Sequence, residues 1–200
     1  MSRTAPYLWR AVPIVVAGLL AWPAAGAAQT LTGNAKAVRA TVLGTTTTLA
    51  NTGPLTSPSD PLEASLDTGA IPSVLSGEAL HATTIGWTDQ VASEAALGNL
   101  GLTIAGIGIS ADSVLARALS VLGGGSSGSS VIDNLAINGV PVAVTGEPNQ
   151  TISIPGGLVV INEQISSASG ITVNALHAKV SGLFGPLADV VIASAKAGIQ

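Results

Sequence analysis

The chain has 200 residues, of which 47% are hydrophobic and only 9% charged. It has no cysteine, few aromatic side chains and a formal charge of −4 at neutral pH. A chain this apolar and weakly charged excludes disorder, and one without a basic patch excludes phosphate-backbone binding. Without disulfides, stability must come from apolar burial, and the length suits one domain.

The first 27 residues read as a cleaved secretory signal peptide, followed by a single β-rich domain over 28–200. Arg3 and Arg10 supply the basic start, Ala11 to Trp22 the apolar run, and Ala25-Gly26-Ala27 the small-residue cleavage pattern. The apolar run covers 12 residues, short of the roughly 20 that span a bilayer. Removing the leader takes Tyr7, Trp9 and Trp22 with it. Trp87 and Phe184 are then the only aromatic residues, and five basic residues face eleven acidic ones, a formal charge near −6.

Beyond the leader, period-two alternation dominates. Val38, Ala40 and Val42 share one face of a first strand, and Thr45 to Thr48 continue an extended, β-branched run. Pro54, Pro58 and Pro61 mark a loop. Leu80/Ala82/Thr84, Val91/Ser93/Ala95/Leu97, Leu102/Ile104 and Ile107/Ile109 alternate in turn, with Gly106 at a turn or bulge. Val114–Leu122 reads as a strand, and the Gly/Ser-rich stretch 123–130 as a flexible connecting loop. Asn138-Gly139, flanked by alternating apolar residues, is the clearest hairpin signal, because Asn-Gly supplies the positive φ values of a type I′ turn. Further turns are expected at Glu147-Pro148-Asn149 and Pro155-Gly156-Gly157, and further strands at Val159–Ile161, Ile171–Val180 and Val190–Ala197.

An internal echo is visible: Ala79-Leu80-His81-Ala82 recurs as Ala175-Leu176-His177-Ala178. Each copy is followed by Asp-x-Val-x-x-x-Ala, at Asp89 and at Asp189. The unequal spacings suggest repeated hairpins in place of a strict solenoid. The expected fold is antiparallel β-sandwich-like, in two packed sheets with hairpin connections. A flattened β-barrel or a β-solenoid is the alternative.

Several stretches together resemble the bacterial "choice-of-anchor P" family. They are Val38–Gly44, Ala79–Ala82, Ala111–Ala118, Thr145–Thr151, Val159–Gln164 and the Ile171–Ile199 end. The resemblance implies an exported, cell-surface or secreted β-rich domain, and it supplies no catalytic residues.

The candidate chemistry is sparse. His81 and His177 are the only histidines, and would form a metal site if their strands were neighbours and Glu78 or Asp89 joined them. Strand parity instead places His177 on the face of Lys179, toward solvent. Asp60, Glu63 and Asp67, in or near the proline-rich loop, are candidate calcium ligands, although the EF-hand pattern is missing. There is no Gly-x-Ser-x-Gly elbow and no carboxylate pair with aromatic subsites. The sequence therefore favours a non-catalytic structural or adhesive component of the bacterial surface or matrix. That component would self-associate through exposed strand edges, with Ala35–Ala50 as the candidate edge, or bind other surface proteins, and would need no cofactor. A calcium- or ligand-binding module is the alternative, and an exported hydrolase a second. The expected location is periplasm, cell surface or medium, with no nucleic-acid partner and no membrane insertion after cleavage.

Overall fold

A computed structural model describes residues 29–200; the expected leader lies outside the described residues. Among the described residues thirteen strands form two antiparallel sheets packed face to face, a β-sandwich with no closed barrel. The first sheet has the order β10-β11-β12-β13-β1-β2. Its strands are β1 (Leu31–Val42), β2 (Thr45–Asn51), β10 (Gln150–Ile154), β11 (Gly157–Ser167), β12 (Gly170–Gly182) and β13 (Gly185–Ile199). The second sheet has the order β3-β4-β5-β6-β8-β9, with β7 also paired to β6. Its strands are β3 (Ser59–Ile71), β4 (Leu75–Gly86), β5 (Gln90–Ile104), β6 (Ile107–Val121), β7 (Gly125–Asp133), β8 (Ala136–Ile137) and β9 (Val140–Pro141).

The buried apolar core between the sheets consists of Leu, Ile, Val and Ala. β13 stacks on β5 and β6, β1 on β4 and β5, and β12 on β6 and β7. The small side chains let the sheets approach closely, and the stretch 123–130 shows why. It is not a flexible loop: Gly125–Ser130 belong to β7 and pair with β6 from Val121 to Ala116. A Cβ on Gly128 would collide with Val173 of the opposite sheet, so glycine here lets two backbones close on each other. The Ser126 hydroxyl of β7 bonds that of Ser120 at 2.8 Å, which gives the buried β6 hydroxyl a partner.

The proline-rich segment also differs from the expected loop. Pro61 lies inside β3, which is an edge strand, where a missing N–H need not break a ladder bond. Only 52–58 connect β2 to β3, and Leu55 bridges to Gly33. The Asn138-Gly139 turn forms as expected, with φ of 50° and 74°. Leu43-Gly44 (48° and 81°) and Ala105-Gly106 (50° and 80°) repeat the same pair of positive φ values.

One feature has no counterpart in a simple period-two reading. In mid-strand the inward face changes parity: Ala35 and Ala37 are buried, then Val38 and Ala40; Val173 and Ala175, then Leu176 and Ala178; Val190 and Ile192, then Ala193 and Ala195. In the first sheet Asn162, Ala175, Ala193, Ala37 and Ala50 lie side by side in one transverse row, between flanking paired positions. Asn162, Ala193 and Ala50 of that row have positive φ (51°, 50° and 44°). The second sheet carries Ala79 (48°) and Asn99 (49°). A left-handed residue with a Cβ costs about 1–2 kcal/mol, so the packing around these positions holds them there. The row acts as a crease. It leaves outward-facing residues three apart in sequence, such as Lys36 and Arg39 or Asn174 and His177, and brings side chains from both sides of it together.

Candidate functional site

On the outer face of the first sheet this crease assembles a polar network. His177 on β12 is only 6% exposed. It does not point freely to solvent as parity alone suggested, because Glu163 of β11 and Asp189 of β13 close over it. His177 Nδ1 lies 2.6 Å from Glu163 Oε2, and Nε2 lies 3.3 Å from Asp189 Oδ1. Arg39 of β1 donates to the same Asp189 oxygen at 3.2 Å, and Asn174 donates to Glu163 Oε2 at 2.6 Å. Lys179 Nζ stands 3.9 Å from the other Glu163 oxygen. A carboxylate only accepts hydrogen bonds, so the ring fills both contacts when each nitrogen carries a proton. Burial opposes charge on Glu163. The hydrogen bonds from Asn174 and His177, with the charges of His177 and Lys179, outweigh that and hold its carboxyl below the usual carboxylate range. Across the crease, burial, with the positive charges of Arg39 and Lys196 adding to it, lowers the Lys36 ammonium from its ordinary range.

The second histidine has different company. His81 on β4 faces outward from the second sheet, and among the described residues its one side-chain hydrogen-bond partner is Thr83, at 3.0 Å. It lines a groove of about 510 Å³ with Thr83, Glu94, Arg117, Leu119 and Ser129. Arg117 Nε donates to Glu94 Oε2 at 2.5 Å across that groove. Glu78, an expected companion of His81, instead accepts from Asn99 at 2.6 Å.

The suggested metal sets are not brought together. His81 and His177 occupy outer faces of different sheets, so the whole core separates them. The two carboxylates at His177 sit on opposite ring nitrogens and cannot converge on one ion with it. Glu63 and Asp67 lie on extended β3, four residues and so about 13 Å apart; the Asp60 side chain lies outside the described residues. Among the described residues no group of three or more His, Asp or Glu side chains is arranged to hold a metal ion.

The partners of His177 were not legible in the sequence. Glu163, Asp189 and Arg39 come from three other strands, and their convergence depends on register and on the crease. The one local hint was that each is an isolated charge in an apolar, alternating stretch. The chain matches no family model, no curated protein and no solved structure.

Proposed function

We propose that the protein is a non-catalytic, exported structural or adhesive component of the bacterial cell surface or extracellular matrix, assembling through a free strand edge. The resemblance to the choice-of-anchor P family points the same way. The observation that carries the reading is β2. Of the candidate edge Ala35–Ala50, the β1 part is interior, paired on both sides, whereas Thr45–Asn51 pairs only with β1. The two-residue turn makes Val42 and Thr45 a hydrogen-bonded pair. By alternation, Thr46 and Thr48 then turn their N–H and C=O groups outward. Edge strands that avoid association carry charges, prolines or bulges. The neighbouring edge β3 has Pro61, Asp60, Glu63 and Asp67, while the β2 sequence Thr-Thr-Thr-Thr-Leu-Ala-Asn has neither charge nor proline.

The test is light scattering against protein concentration, with Thr48→Pro as the blocking variant. Proline there removes an outward donor and leaves the β1 ladder intact. Wild-type growth in particle size that Thr48→Pro abolishes supports edge assembly. A wild-type protein that stays monomeric at all concentrations removes it. Fractionating cells into periplasm, envelope and medium checks the export half, and recovery from cytosol counts against it.

The groove beside His81 favours a second reading, a ligand-binding module, since pockets of about 300–1,000 Å³ suit small molecules. A native-state ligand must raise the unfolding temperature, so a small-molecule thermal-shift screen compared between wild type and Arg117→Ala tests it.

A further inference from the structure

Six hairpin turns gather at one end of the sandwich: 43–44, 72–74, 105–106, 138–139, 155–156 and 183–184. Leu43 N–H bonds Leu187 O at 2.9 Å, Asn138 N–H bonds Gly108 O at 2.7 Å, and Ser181 N–H bonds Gly156 O at 2.9 Å, tying neighbouring turns together. None of the six carries Asp, Glu, Lys or Arg. Three side chains on them are apolar and stand in water: Leu183 is 98% exposed, Phe184 103% and Leu43 75%. The only phenylalanine of the chain therefore stands in water, while the buried hydrophobic side chains among the described residues are all aliphatic. Single exposed apolar residues need no explanation, but a cluster does.

Beside this knob lies a hole. Val42, Leu43, Val74 and Leu187, with Ser73 and Thr103, line a mainly apolar hollow of about 240 Å³. A cavity of about 150 Å³ takes a benzene ring, so the hollow has room for a phenyl side chain. Phe184 does not fill the hollow of its own chain, as its full exposure shows.

We propose that this end is a self-complementary interface, through which two copies of the chain form an isologous, end-to-end dimer. The Leu183–Phe184 knob of each copy enters the apolar hollow of the other. A twofold contact needs both halves on one surface, and both are present here. Electrostatics select the same end: two acidic copies repel each other, and this end brings no ionised side chain to the contact. The contact is separate from the β2 edge and stands without the assembly reading above.

Sedimentation velocity over a range of concentrations, on the protein expressed with its complete sequence and matured by its host, provides the test. A monomer–dimer equilibrium is expected. Phe184→Asp, on the knob, and Val74→Glu, at the hollow, each weaken it at least about tenfold, as loss of a central anchor does. Thr48→Pro leaves the dimer unchanged, which separates this contact from edge assembly. Circular dichroism matching wild type shows that each variant is folded; should Val74→Glu not fold, Phe184→Asp decides alone. A strict monomer up to about 1 mM, or a dimer indifferent to Phe184→Asp, overturns the proposal. So does a monomer that sediments with neutral phosphatidylcholine vesicles in a Phe184-dependent way, which would assign the knob to lipid.

Discussion

The same four residues, Ala-Leu-His-Ala, occur on β4 and on β12, and their surroundings make two different things of them. In both copies the leucine points into the core, with Leu80 1% and Leu176 0% exposed, and the histidine points out. That much is local, because a strand alternates its side chains whatever lies beside it. Beyond it the copies part. His177 is clamped between Glu163 and Asp189, while His81 has a threonine and an open groove. The leading alanines differ too: Ala79 is exposed with φ of 48°, whereas Ala175 is fully buried and is not among the left-handed residues. An outward side chain takes its chemistry from the neighbouring strands.

The sharpest way to break this comparison is to remove each histidine. His177→Ala removes the ring that two carboxylates pack around, while Asn174 and Lys179 stay with Glu163 and Arg39 with Asp189. It should cost about 2 kcal/mol, less than a fully broken buried pair because those partners remain and solvent screens part-exposed Asp189. His81→Ala, with no charged partner lost, should stay within about 0.5 kcal/mol. Urea unfolding midpoints measure both, and equal losses would show that the two sites are alike.

Acid titration separates the faces next. Because the folded carboxyl of Glu163 titrates below its ordinary value of 4.5, its contribution is complete above the unfolded carboxylate range and is lost as pH falls through the folded value. Stability of wild type and of His81→Ala should therefore fall more steeply below about pH 4.5 than that of Glu163→Gln. The same slope in Glu163→Gln would remove Glu163 from the account.

The leading alanines give a smaller contrast. Ala175→Gly should lose about 1 kcal/mol in backbone entropy and buried contact, whereas Ala79→Gly should be neutral or gain up to about 0.5 kcal/mol by relieving a left-handed alanine. Smallest of all, Ala96→Glu places a carboxylate opposite His81. It should change stability by no more than a few tenths of a kcal/mol, as an exposed cross-strand pair does. Urea unfolding midpoints of that variant and of wild type read the difference.

The amino-acid order by itself determined the class of fold and most of the inward face. Alternating small aliphatic residues can bury only one side of a strand, so two sheets had to meet. Asn138-Gly139 has the backbone freedom that its turn requires, and it turned as expected. The serines and glycines of 123–130 misled for the opposite reason: their composition resembles a linker, and only the nearness of Val173 makes a residue without a side chain favourable at position 128. The prolines misled likewise, since whether Pro61 breaks a strand depends on whether that strand lies at an edge. Tertiary structure alone decided the transverse crease, the burial of His177 among Glu163, Asp189 and Arg39, and the gathering of uncharged turns at one end. Each depends on register between strands far apart in the chain, which a pattern of period two leaves open because every strand obeys it equally well.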